Sequence, residues 1–250
     1  MTPIVKACVL IIGNEILSGR TQDSNLNHIA KTLGEWGIRV TEARVIPDVA
    51  ETIIDAVNEA RGRFDYVFTT GGIGPTHDDI TAECIAAAFG VELYQHEAIA
   101  ERIRKRPAPE DIMRNRLLMA RVPQGAVLID NPTGGPQGFA IENVYVMAGI
   151  PMVMQAMLSS LEGVLTGGSV VRSRSIKAFL GESQIASDLG AIQDQHPELD
   201  IGSYPFFTDQ RYGTTLVIRG TEQEQIDQAA QQVMAAVRAS GEEPEDLGAG

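Results

Sequence analysis

The sequence predicts an α/β protein: a doubly wound, mostly parallel, three-layer sheet followed by a small α+β module. Three observations lead there. Short, almost wholly apolar runs such as VKACVLIIG (5–13) have the character of strands buried on both faces. Such runs alternate with segments of helical period, which implies parallel strands, right-handed crossovers and helices on both faces. A glycine-rich turn, TTGGIGPTHDDIT (69–81), joins a strand to a helix at the edge where such sheets bind ligands.

Taken in order, 5–13 is the first strand. SNLNHIAKTLGEWG (24–37) is a helix, with apolar residues at Leu26, Ile29, Ala30, Leu33 and Trp36 and a stop at Gly37. A strand at 39–46, a helix at 51–62, a strand at 65–70 and a helix through TAECIAAAFG complete two βαβ units. Residues 96–120 read as two helices broken at Pro107 and Pro109. Two or three short strands follow within 126–151, joined by the turn-rich NPTGGPQG, and a helix at 151–163 closes the first unit. Met152, Met154 and Met157 in that helix read as core filler.

The expected divisions are 1–166 for the large domain, with TGG (166–168) as linker, and 167–240 for a β-α-β-β-α module. The final ten residues, GEEPEDLGAG (241–250), have the composition of a disordered acidic tail.

Composition narrows the function classes. The chain has 250 residues, 44% hydrophobic, and a formal net charge of −13, which argues against a nucleic-acid or anionic-membrane surface. Cys8 and Cys84 lie among apolar neighbours as core residues, and the lack of a CxxC or Cys/His cluster argues against structural zinc. The amino terminus reads as a first strand rather than a signal peptide, and no apolar stretch approaches the roughly 18–20 residues of a membrane helix. A cytoplasmic protein is expected.

The glycine-rich turn carries the chemistry. Gly71, Gly72 and Gly74 let the backbone approach a ligand, and strand-to-helix amides form an anion site. Asp78 and Asp79 at the same place would repel a phosphate unless a divalent cation lies between them. Asp79 could equally cap the next helix. The exposed His77 reads as an acid or base, or as incidental. Topology brings the loops at 13–20 and 47–50 to the same edge. The cationic run Arg102, Arg104, Lys105 and Arg106 fits either a ligand-facing or a solvated helix face.

These residues resemble a known family. GGIGPTHDDIT after an apolar strand resembles the signature of the molybdopterin-binding (MoaB/Mog-type) domain of molybdenum-cofactor biosynthesis proteins. More closely, it is similar to the amino-terminal domain of competence/damage-inducible protein A and of eukaryotic-type FAD synthases. GNEILSG (13–19) resembles that group's G-x-E-[IL]-L-x-G, and Asn25 and Asp48 match its Asn and Asp. NPTGGPQGF resembles the N-P-x-G-x-x-x-G-F loop and AGIPMVM the P-G-[VI]-P-x-E-M loop; the second unit, with GES and IGSYP, resembles the module that follows. Two features depart from the pattern. Val153 stands where members often carry Glu, and 250 residues leave no room for the deamidase or nucleotide-transferring domains, whose activities are not expected.

The resemblance implies a ligand site for a phosphorylated pterin or a nucleotide. Amides of Gly71, Gly72 and Gly74 would hold the phosphate beside Pro75 and the Thr76 hydroxyl. Asp79 and Asp48 would act as catalytic residues holding Mg, Mn or Co, with Asp78 sharing the metal. Asn14, Glu15, Ser18, Asn25, Asn131, Pro132 and Gly134 would line the site. Glu15 could instead be solvated, Asn14 and Asn131 could instead hold loops, and Gly134, Gly135 and Gly138 could be plain turn residues. Three activities are expected as alternatives: metal-dependent pyrophosphatase on ADP-ribose or a similar dinucleotide, molybdopterin binding or adenylylation, and a non-catalytic binding or assembly module. A homo-dimer or trimer is expected from related domains.

Overall fold

A computed structural model describes residues 4–208 and 210–249, which fall into two compact units divided between Ser169 and Val170. Met1–Pro3 and Gly250, the ends of the expected first domain and tail, lie outside the described residues.

The first unit begins with β1 (Val5–Ile12), the one-turn α1 (Asn14–Leu17), α2 (Asn25–Glu35), β2 (Ile38–Ile46), α3 (Ala50–Arg61), β3 (Tyr66–Thr70) and α4 (Thr81–Phe89). It continues with β4 (Leu93–Gln95), α5 (Glu97–Arg104), α6 (Glu110–Leu117), β5 (Arg121–Pro123), β6 (Val127–Ile129), β7 (Gly138–Ile141), β8 (Val144–Met147) and α7 (Pro151–Ser159). The main sheet has the order β2-β1-β3-β8-β7-β6. The first four strands are parallel and β7 runs antiparallel to both neighbours. The carboxyl ends of β1, β2, β3, β8 and β6 therefore share one edge with the start of β7.

Alternation along the strands builds two cores. Cys8, Leu10 and Ile12 of β1 pack with Ile53, Val57 and Ile85 from α3 and α4. Ala7, Val9 and Ile11 face the opposite layer, with Ile29 and Leu33 of α2 and Met154, Met157 and Leu158 of α7. Six successive residues of β1 are buried, which explains why its sequence is a continuous apolar run rather than an alternating one. Burial pushes the Cys8 and Cys84 thiols up to about 11, so both are neutral core groups at physiological pH. On the solvent side of β2, Arg44 binds Glu59 through both terminal nitrogens (2.6 and 2.8 Å), which with Arg63 holds the Glu59 carboxyl down at about 2. No helix among the described residues is long and apolar enough to cross a membrane.

The second unit contains β9 (Arg172–Ala178), α8 (Glu182–Gln195), β10 (Asp200–Thr208), β11 (Arg211–Gly220), α9 (Gln223–Ala239) and β12 (Glu245–Ala249). Its sheet has the order β10-β11-β9-β12 and is covered by Ile185 and Ile192 of α8 and Ile226, Ala230 and Val233 of α9. The acidic carboxyl end corrects the expectation of a disordered tail. Residues 245–249 pair antiparallel with β9, and its charges meet the basic residues of that strand: Arg174 binds Asp246 and Asp227 (both 2.5 Å), and Lys177 lies 3.5 Å from Glu245. A composition that looks unfoldable alone becomes an edge strand because β9 supplies the opposite charge.

Candidate functional site

The site lies at the shared strand edge, where the chain moves from β1 outward to β2 and then returns to β3 on the other side. Sheets of this kind bind ligands at that reversal. Gly71 follows β3 with φ +100°, and an added Cβ would collide with the Ile12 carbonyl. Gly72, at φ +66°, leaves no room for one beside the Thr81 hydroxyl. The Gly71 amide donates to Met147 O (3.3 Å), and Thr81 closes the loop from the far side, its amide donating to Gly72 O (2.9 Å) and its hydroxyl to Gly71 O (3.1 Å). The amides of Gly72, Ile73 and Gly74 find no acceptor among the described residues. Three consecutive unused donors on a glycine turn are available to an anion.

The carboxylates of the loop turn back onto Thr76, Asp79 partly buried and Asp78 exposed. Asp79 Oδ2 accepts from the Thr76 amide (2.8 Å) and lies 2.5 Å from the Thr76 hydroxyl, which is also 2.7 Å from Asp78 Oδ1. That bond to Thr76 is the main reason the Asp78 carboxyl sits below its ordinary range. Asp79 therefore ties the turn backward onto Thr76. Ile80 holds the cap position of α4, with no side-chain cap, so the capping expectation for Asp79 does not hold. Thr76, expected to offer its hydroxyl to a phosphate, has both donors engaged by Asp79 and Asp78. Pro75 is exposed on the same turn, and His77 is fully solvent-facing.

The first loop is tied to the second. The Asn14 amide donates to Asp48 Oδ2 (2.8 Å), so Asp48 receives the start of α1, and Ser18 Oγ donates to Glu15 O (3.2 Å). The Asn14, Glu15 and Ser18 side chains are exposed at this edge, with the Glu15 carboxylate folded over Gly13. Asn25 is 4% exposed; its Nδ2 donates to Gly149 O (2.8 Å), while its Oδ1 is buried with no partner. Gly149 in turn packs against Gly71. Val153, in the first turn of α7, is partly buried against the α2–α7 core. A Glu at that third helical position is as well suited to capping the helix as to holding a cation.

The NPTGGPQG loop serves itself. Asn131 is 1% exposed; its Nδ2 donates to Pro136 O (2.8 Å) and its Oδ1 accepts from the Thr133 amide (3.1 Å) and hydroxyl (2.6 Å). Asn131 thus holds the loop rather than a ligand ring. Pro132 is exposed, and Gly134 lies on the wall of a separate cavity.

The expected donors do not by themselves form a cation site. Among the described residues, no group of three or more His, Cys, Asp or Glu is arranged to hold a metal ion. Asp48, Asp78 and Asp79 each already accept a hydrogen bond from within the chain. Sequence reasoning also missed participants. Ile73 contributes the middle amide, and Glu83 and Arg121 form an ion pair on the cleft beside the loop, leaving Glu83 Oε2 buried without a partner. Gly149 lay within a quoted motif, whereas Glu83 and Arg121 carry no local signal.

Residues 8–166 match the family model described as “Probable molybdopterin binding domain”, and residues 170–245 match “FAD synthase, middle domain”. The first match covers more than half of the chain, which belongs to the molybdopterin-binding (MoaB/Mog-type) domain family in its CinA-like branch. A protein of Archaeoglobus fulgidus is 32% identical over 225 residues, which cover 90% of this chain and 94% of that one. A CinA-like protein of Citrifermentans bemidjiense is 42% identical over 207 residues, covering 77% of this chain and 49% of the relative, so the chain spans about half of that protein. The crystal structure of the protein CinA with unknown function from Thermoplasma acidophilum is 33% identical at a TM-score of 0.58, covering 64% of this chain and 96% of that chain.

Proposed function

We propose that the first unit binds a small phosphorylated ligand of pterin or nucleotide type, with its phosphate received by the amides of Gly72, Ile73 and Gly74. One observation carries this reading: three consecutive amides without acceptors, at the point where the strand order reverses. Family membership supports the pterin or nucleotide as the organic part.

Asp79, Asp78 and Asp48 act in this reading as loop-holding residues; Asp79 also lines the cleft of the open amides, so its charge opposes a phosphate and Asp79→Asn should tighten binding. Hydrolysis of an ADP-ribose-type dinucleotide would need a cation, for which no group of three ligating side chains is arranged among the described residues, and adenylyl transfer would need a second bound nucleotide. Both are tested by incubation with ADP-ribose, or with molybdopterin and ATP, and assay for released AMP or adenylylated product. Dimer or trimer formation is proposed from the family alone and is measured by sedimentation.

The direct test is calorimetric titration with AMP and with molybdopterin. Saturable binding of one of them is expected, and Ile73→Pro, which deletes the middle donor, should weaken it about tenfold, the loss of one charge-assisted bond. The far-ultraviolet spectrum and Tm check that the variant folds. Absence of binding to either ligand at millimolar concentration removes the proposal.

A further inference from the structure

The Gly134 wall belongs to an open cavity of about 350 Å³ lined by α5, α6 and the NPTGGPQG loop, with Arg102, Arg106 and Arg116 among its lining residues and no acidic residue. Their partners differ. Arg102 is committed: one terminal nitrogen lies 3.1 Å from Asp130 Oδ1 and the other donates to Asn131 O (2.9 Å). Arg116 donates to the Arg106 carbonyl (3.2 Å) and meets no carboxylate. The Arg106 guanidinium has no hydrogen-bond or ion-pair partner among the described residues, and its terminal nitrogen lies 3.5 Å from where a Cβ on Gly134 would stand. Neighbouring Arg104 and Arg114, by contrast, pair with Glu97 and Glu110 on the surface.

Arg106 is exposed and Arg116 half-buried, so the cavity presents both guanidinium groups to solvent with no carboxylate on its wall. The Gly135 amide on the same wall also lacks an acceptor among the described residues. Guanidinium forks and an amide without an acceptor lining one cavity suit a tetrahedral dianion, because a fork matches two phosphate oxygens.

We propose that the Arg102–Arg106–Arg116 cavity is an anion subsite for a phosphate dianion, with Arg106 and Arg116 as direct donors and Arg102 holding the loop that forms its wall. The subsite does not depend on the glycine-turn reading. Met119 lines both this cavity and the cleft beside the glycine turn, so the two adjoin.

Inorganic pyrophosphate, titrated calorimetrically into the full chain, is the probe. Saturable binding is expected, with the tighter phase about tenfold weaker in Arg106→Gln and lost in the Arg106→Gln/Arg116→Gln double variant, any residual binding belonging to the glycine turn. Arg106→Lys should be intermediate, since it keeps the charge but loses the fork, and Arg114→Gln should match the parent. Arg106 has no internal side-chain bond, so its substitution leaves folding intact, as Tm checks. Ile73→Pro should retain pyrophosphate binding if the subsite is independent. Equal binding by the parent and the double variant, or no binding by the parent, overturns the proposal. Loss in Ile73→Pro alone also overturns it and leaves the glycine-turn reading standing.

Discussion

Two loops at one edge of the same sheet offer opposite chemical groups to their surroundings. The turn after β3 leaves its backbone amides open and uses its acidic side chains on itself, with Asp79 and Asp78 gathered around Thr76. The loop after β6 satisfies itself through one buried side chain, Asn131, while its neighbours Arg106 and Arg116 remain without carboxylates. Both are rich in glycine, yet for different reasons. Gly71 and Gly72 are wedged against Ile12 and Thr81, whereas Gly134 meets only the end of a flexible arginine. Composition alone therefore says little about which chemical group of a loop is offered outward.

Substitution should expose that difference. Gly71→Ala forces a Cβ into the Ile12 carbonyl at positive φ and is expected to cost about 3 kcal/mol or more, whereas Gly134→Ala, strained in φ alone, should cost about 1 kcal/mol. Chemical denaturation measures both, and equal losses would erase the distinction. Next in size is Asn131→Ala, which leaves the Pro136 carbonyl and both Thr133 donors without their partner and should cost about 1–3 kcal/mol. Asp79→Ala acts on a partly exposed turn, and about 1 kcal/mol is expected.

The smallest effects are electrostatic. Because its folded pKa is depressed, Asp78 stabilises the turn above its ordinary value of 3.8, and that contribution fades as pH falls below 3.8 toward the lower folded value. Carboxyl-carbon chemical shifts should show Asp78 titrating below 3.8, and Thr76→Val should return it toward 3.8 by removing the main cause. In the second unit Asp246 behaves alike through its bond to Arg174, so β12 should loosen as pH falls below 3.8; amide exchange in residues 245–249 measures this.

Much of the fold was legible because period and burial agree: β1 is apolar throughout since both faces are covered, and α2 shows Ile29 and Leu33 to the core at helical spacing. The carboxyl end was misread because its folding depends on Arg174 and Lys177, some 70 residues earlier. The glycine turn, Asn25 and Asp48, whose positions the family pattern marks, come together at one edge of the sheet. Their roles were not legible. Which way a carboxylate turns depends on donors such as the Thr76 amide or the start of α1, and a list of residue types does not carry that direction.

The central claim is that the open amides of the glycine turn, not its aspartates, receive the phosphate. An amide nitrogen–proton correlation spectrum recorded during titration with AMP tests it most directly. The largest shifts are predicted at Gly72, Ile73 and Gly74, with the already bonded amides of Gly71 and Thr76 moving less. Saturable AMP binding that leaves those three amides unmoved would contradict the account.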